Sequence, residues 1–155
     1  MRPTPAEVAC DRSLDSLAPK FRDAVQAVIE QMGDAKISET TRTFARQSFL
    51  YGFGREYDDG RGIVTNASSQ LTSWHGFGLA ADIIHRDKEW NAPQSWFRLL
   101  GETGKAHGLD WGGDWHHPDL PHLQWGQCKD SPSDEARRLY AEGGLVSVWH
   151  AVGAI

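Results

Sequence analysis

A carboxylate stands where an apolar side chain would be expected. Asp82 interrupts the run Leu79, Ala80, Ala81, Ile83, Ile84. A buried carboxylate is either paired with a cation or bound to a metal, so an arginine partner or a metal ion would each account for it. His75 precedes it in S-W-H-G-F-G-L-A-A-D, and Gly76 and Gly78 free the backbone to bend between the two side chains. Taken alone, a histidine such as His75 is more often a hydrogen-bonded structural residue than a ligand. Together the pair offers an imidazole nitrogen and a carboxylate oxygen, both of which bind zinc at about 2.0–2.2 Å. D-L-P-H, Asp119 to His122, follows later in the chain. Pro121 disfavours helix and extends Leu120, so His122 begins a strand. A catalytic zinc takes three protein ligands and leaves a position for water, and His75, Asp82 and His122 fill that count. Asp119 either caps a turn or stands as a free carboxylate able to take a proton from that water, whose pKa zinc lowers to about 7.

These groups need elements to hold them. Leu17, Phe21, Val25, Val28, Ile29 and Met32 recur at helical spacing, with Gly33 as a stop. Residues 36–41 are short and β-branched and predict a strand; 44–53 return to helical character. The stretch 58–69 is rich in Asp, Gly, Asn and Ser and reads as a surface loop. Residues 79–84 predict a buried strand, and 93–107 a helix packing Trp96, Phe97, Leu99 and Leu100. G-L-D-W-G-G-D-W-H-H-P-D then reads as a loop before the strand at His122. Ser131 and Pro132, with Asp134 and Glu135 behind them, start a helix. It should run to about residue 142, after which an apolar segment docks on the core. Strands and helices do not alternate regularly, so the fold class is α+β. No repeats or linkers divide residues 1–155, which predicts a single domain with no separate wall-binding unit. Seven tryptophans and sixteen glycines, many between Trp74 and Trp125, suggest an aromatic, loop-rich site there. Trp90 and Trp96 are expected to fill the core.

A net charge of −5 provides no basic footprint for nucleic acid. Cys10 and Cys128 have neither disulfide nor CxxC spacing. The opening M-R-P-T-P-A-E-V-A-C-D-R has no apolar leader, and residues 145–155 are too short to span a bilayer. The expectation is a monomer made in the cytoplasm, without a membrane anchor.

S-x-H-x-x-G-x-A-x-D followed by D-x-x-H resembles the signature of the LAS zinc metallopeptidases. Ser73, His75, Gly78, Ala80 and Asp82 fill the first motif, and Asp119 and His122 the second. T-R-T-F-A-R-Q, residues 41–47, looks like the family's R-[S/T]-x-x-x-Q segment. G-L-D-W-G-G-D-W, residues 108–115, is similar to a block of the L-alanyl-D-glutamate endopeptidases, and L-D-x-L-x-P, Leu14 to Pro19, extends the likeness over most of the chain. The resemblance implies one zinc ion on His75, Asp82 and His122, with Asp119 as base. It also implies that Arg42 stabilises the oxyanion and that Ser73, Gln47 and Trp115 bind substrate. The implied fold is a small antiparallel sheet flanked by helices. Arg46 is read as a solvated charge. The stretch from Trp115 to Asp119 is about one residue shorter than the family's, and its His116 and His117 are expected to face solvent. The implied substrate is the peptidoglycan stem peptide, cut between L-alanine and D-glutamate. The implied setting is a phage endolysin that reaches the wall through a holin. Two alternatives are a D-alanyl-D-alanine carboxypeptidase with the same zinc site and a non-catalytic wall-binding relative.

Overall fold

Gly33 ends the first helix because the chain must turn left-handed there: α1 (Pro19–Met32) closes on Gly33 at φ 77°. The computed structural model describes residues 1–155. Phe21, Val25 and Val28 form the buried stripe of α1, while Leu17 is buried just ahead of the helix. The turn delivers β1 (Ala35–Glu39), and Thr43 then caps α2 (Phe44–Gly52) by accepting the Arg46 N–H.

β2 (Ala80–His85) is the central strand through the site. It is followed by α3 (Gln94–Ala106), β3 (Leu109–Trp111) and β4 (His122–Trp125). The sheet order is β1-β2-β4-β3, with every neighbouring pair antiparallel. This is the α+β class expected. β3 lies in a stretch read from sequence as loop; three residues between glycines carry too little pattern, and the strand exists because it pairs with Leu123 and Trp125 of β4.

α1 and α3 pack on each other and on the sheet. A Cβ at Gly101 would meet the Trp111 ring at 2.3 Å and one at Gly104 would meet Leu123 at 2.7 Å, so α3 lies close on β3 and β4 because two side chains are missing. Trp96, Phe97 and Leu100 are buried as expected, but Leu99 is 56% exposed and Trp90 is 59% exposed. Leu99 lies on the outer face of α3 and Trp90 in the turn before it, so neither fills the core. α4 (Asp134–Ala151), capped by Ser133, runs beyond the expected end and breaks at Gly144, φ 73°. Its last turns dock as the apolar segment was expected to, with Val148 and Ala154 buried.

Candidate metal centre and active-site cleft

Asp82 is paired across the sheet with His122 on β4 and with Glu39 on β1. Cross-strand partners share a face, so these side chains form one row. His75 enters the row from a 3₁₀ turn, Trp74–Phe77, whose start is capped by Ser73 Oγ accepting the His75 N–H at 3.3 Å. Gly78 ends the turn at φ 69°, and a Cβ there would meet Ser16 O at 2.7 Å.

His75, Asp82 and His122 each bring one donor atom within 4.8 Å of the others. His75 Nε2 lies 3.4 Å from Asp82 Oδ1, and His122 Nδ1 lies 3.5 Å from the same oxygen. The outer ring nitrogens fix the tautomers. His75 Nδ1 faces the Thr40 carbonyl at 2.7 Å, an acceptor only, so it carries the proton and Nε2 presents a lone pair. His122 Nε2 donates to Gln124 Oε1 at 2.8 Å, and Gln124 Nε2 donates to Lys129 O at 3.1 Å, which fixes the amide's orientation. Two imidazole lone pairs and a carboxylate therefore converge. His75 Nε2 and Asp82 Oδ1 are buried without a hydrogen-bond partner, an arrangement that costs free energy unless a cation satisfies it. The residues fit a divalent ion that accepts nitrogen and oxygen donors.

Asp119 Oδ2 lies 3.7 Å from His122 Nδ1, with its side chain half exposed to the cleft. Burial and the charge of Asp82 raise its pKa above the ordinary carboxylate value, against the pull of His122, His75 and Arg42. For Asp82 burial acts upward too, but His75 and His122, when protonated, and Arg42 outweigh it and hold the pKa well below the usual range. Burial disfavours the imidazolium of His122, yet Asp82 and Asp119 outweigh that and raise its pKa. A proton therefore competes with a metal for Nδ1.

The sequence from residue 66 to 125 matches a family model described as D-alanyl-D-alanine carboxypeptidase. Over 125 residues the chain is 32% identical to the peptidoglycan L-alanyl-D-glutamate endopeptidase CwlK of Bacillus subtilis, covering 72% of each protein. The chain belongs to this peptidase family. The crystal structure of the L-Ala D-Glu endopeptidase ChiX of Serratia marcescens has the same fold, with a TM-score of 0.54 at 23% identity over 76% of this chain and 88% of that one. The family is metal-dependent, and the His75–Asp82–His122 group is the set able to hold an ion here.

The remaining family motifs surround this group. Arg42, Ser73, Trp115, Asp119 and His122 all line a cleft of about 580 Å³. The Trp115 ring lies 4.8 Å from the His122 ring. Gly112 of the G-L-D-W-G-G-D-W block accepts the Asp119 N–H at 2.9 Å, and a Cβ on it would meet Asp119 O at 2.5 Å. That block thus seats Asp119. His116 and His117 are exposed at the cleft, their rings edge to face at 4.7 Å.

Two expectations change. Gln47 is fully buried, and its amide is used inside the protein: Oε1 accepts from Arg42 Nη1 at 3.3 Å while Nε2 donates to Ala67 O at 2.8 Å. It braces Arg42 and the cleft wall and offers no free atom to substrate. Arg46 is not solvated; its side chain is 11% exposed and donates to Glu39, Glu7 and Val8 O. The two readings of Asp82 also merge, since Arg42 Nη2 donates to its Oδ2 at 3.3 Å while Oδ1 faces the histidines. Glu39, Thr40 and Gln124 are the supporting residues that sequence reading missed. Only Gln124 had a visible signal, since it lies two residues after His122 on a strand and therefore shares its face.

Proposed function

We propose that the protein is a zinc-dependent peptidoglycan hydrolase that cleaves the L-alanyl-D-glutamate amide of the stem peptide. The observation that carries this is the set of buried, unpartnered donor atoms of His75 and Asp82, joined by the His122 lone pair, at the floor of a cleft beside Asp119. The 32% identity to an endopeptidase of that bond supports the choice of substrate.

In this reading His75, Asp82 and His122 hold one zinc ion, which polarises the scissile carbonyl and acidifies a water in the cleft when bound. Asp119, half exposed to the cleft beside His122, takes the water's proton and passes it to the leaving amine. Arg42 donates to the oxyanion that develops on the carbonyl oxygen. Trp115 forms a wall for the peptide, and Ser73 holds the His75 turn and faces the same cleft. The protein acts as a monomer. The proposed setting is an endolysin that reaches the wall through a holin-type pore; no helix is long and apolar enough to cross a membrane.

A second reading, a D-alanyl-D-alanine carboxypeptidase, is favoured by the description of the matching family model. Digestion of purified peptidoglycan separates the two. New D-glutamate amino termini that vanish with chelator and return with zinc support the endopeptidase. Free D-alanine supports the carboxypeptidase, and no cleavage by folded, zinc-loaded protein refutes both. Lysis of cells expressing the protein only when a holin is co-expressed tests the endolysin setting.

A further inference from the structure

Glu39 is a buried carboxylate, 6% exposed at its side chain, that the reaction above does not use. Its placement follows from one irregularity in the sheet. Ile37 pairs with Ile83, but it is Glu39, not Ser38, that pairs with Asp82. Ser38 is the extra residue of a β-bulge, a device that re-aims the side chains beyond it. In the regular register Ser38 would face Asp82 and Glu39 would turn to the opposite side. The bulge thus adds Glu39 to the row that Asp82 and His122 already form.

Two neighbouring carboxylates in one row repel, and a guanidinium bridges them. Arg42 Nε donates to Glu39 Oε1 at 2.9 Å, its Nη2 to Asp82 Oδ2 at 3.3 Å, and its Nη1 to Gln47 Oε1 at 3.3 Å. The planar fork of five N–H donors is held on three sides, which leaves one N–H on each Nη uncommitted. Glu39 Oε2 accepts from Arg46 Nε at 2.8 Å, and Arg46 is itself held by Glu7 and Val8 O at 2.9 Å each. Glu39 is thus held between two guanidiniums, and Arg42, fixed between Glu39, Asp82 and Gln47, lines the cleft.

We infer that Glu39 is a positioning residue for Arg42, and that Arg46 fixes Glu39 in turn by holding its second oxygen. The inference rests on the reading of Arg42 as the group that meets the oxyanion. The bulge then has a function, since it brings into reach the acid that sets the plane of the arginine.

The test uses the full, zinc-loaded chain with Glu39→Asp, which keeps the charge but retracts the carboxylate by one methylene. Turnover of an L-alanyl-D-glutamyl peptide, zinc affinity, Tm and the Arg42 Nε–H signal in a nitrogen-15 spectrum are measured. The expected result is a kcat at least about tenfold lower, in the range seen when an outer-shell partner is lost, with KM within about threefold. Zinc affinity and Tm stay near wild type, and the Arg42 Nε–H exchanges faster with solvent. Glu39→Gln, read with the same probes on its folded fraction, is expected to exaggerate both effects. Unchanged kcat, or lost kcat with an unaltered Arg42 signal, overturns the inference. So does a loss that tracks zinc affinity or folding. If the wild type itself does not cleave, the proposed function fails, and the Arg42 signal alone decides whether Glu39 positions it.

Discussion

Replacing Gln124 by leucine should weaken metal binding while leaving the protein folded. Gln124 is fully buried and makes two hydrogen bonds: it accepts from His122 Nε2 at 2.8 Å and donates to Lys129 O at 3.1 Å. Leucine fills similar space but provides neither group. Lys129 O keeps a donor, because Trp74 Nε1 also reaches it at 2.7 Å. The group left alone is the His122 Nε2–H, and an unsatisfied buried donor costs about 1–3 kcal/mol. His122 can avoid that cost by moving its proton to Nδ1, which faces Asp82 Oδ1 at 3.5 Å and Asp119 Oδ2 at 3.7 Å. That tautomer is at ease in the metal-free protein but has no lone pair for an ion. Metal-free Gln124→Leu should therefore lose at most about 1–3 kcal/mol, at about 2–4 °C of Tm for each kcal/mol. Zinc affinity should fall about 10- to 100-fold. Competition against a fluorescent chelator gives the affinity, and thermal melts with and without zinc give the stabilities. Unchanged zinc affinity in a folded Gln124→Leu protein would refute the argument that Gln124 sets the ligating tautomer.

Asp119→Asn should lower turnover by about 10²–10⁴-fold and raise the Tm of the metal-free protein at pH 7. The raised pKa means that the folded state binds this proton more tightly than the unfolded state. The resulting stability is complete below 3.8 and is lost as pH rises through the folded value, so the gain from asparagine should close below pH 3.8; a gain that persists unchanged below that pH in the metal-free protein would contradict the shift. Gly112→Ala would drive a Cβ to 2.5 Å from Asp119 O. The same Cβ would meet His122 Cβ at 2.9 Å, so the substitution should cost about 1–3 kcal/mol by overpacking and lower both kcat and the zinc affinity measured by the same competition. Burial and Glu39 push the Cys10 thiol from 9.0 up to about 11, and burial and Asp110 push Cys128 up to about 12. Alkylation at pH 8, followed by mass spectrometry, should run about a hundredfold slower at Cys10 and about a thousandfold slower at Cys128 than at an unperturbed thiol.

The sequence made the metal group legible because its chemistry conflicts with its surroundings. Asp82 stands out in an apolar strand, and a histidine beside two glycines or after a proline has a marked backbone. The main elements followed from periodicity for the same reason, as with Phe21, Val25 and Val28 on α1. The missing parts are those that depend on pairing over distance. Nothing local distinguishes Ser38 as a bulge, yet that one residue decides whether Glu39 or Ser38 stands beside Asp82. Arg46 reads as a surface residue because the acid that buries it, Glu7, comes from a distant segment without regular structure. Thr40 contributes only its carbonyl to His75, and a backbone oxygen leaves no mark in sequence. Gln47 stands within its motif, but which way its amide faces depends on the loop at Thr65 and Ala67.

The excess of tryptophan is explained by the same loops. Four indole N–H groups each donate to a backbone carbonyl elsewhere in the fold: Trp74 to Lys129, Trp111 to Leu120, Trp125 to Val152 and Trp149 to Phe77, at 2.6–2.7 Å. Three of these bonds act on segments that carry the site. Trp74 adjoins His75 and steadies the carbonyl that orients Gln124, Leu120 adjoins Asp119, and Phe77 lies in the turn that presents His75. A loop-borne site loses precision through loop motion, and a mutation that displaces a reacting group by about 1 Å can cost 10²-fold in rate. A large indole buries apolar area at one end while its N–H satisfies a carbonyl that a loop would otherwise leave to water. In a sheet of four short strands, such cross-links hold the ligand loops where the strands cannot reach. Trp115 is free of this duty; its ring lies against His122 in the cleft, where it is available to a peptide.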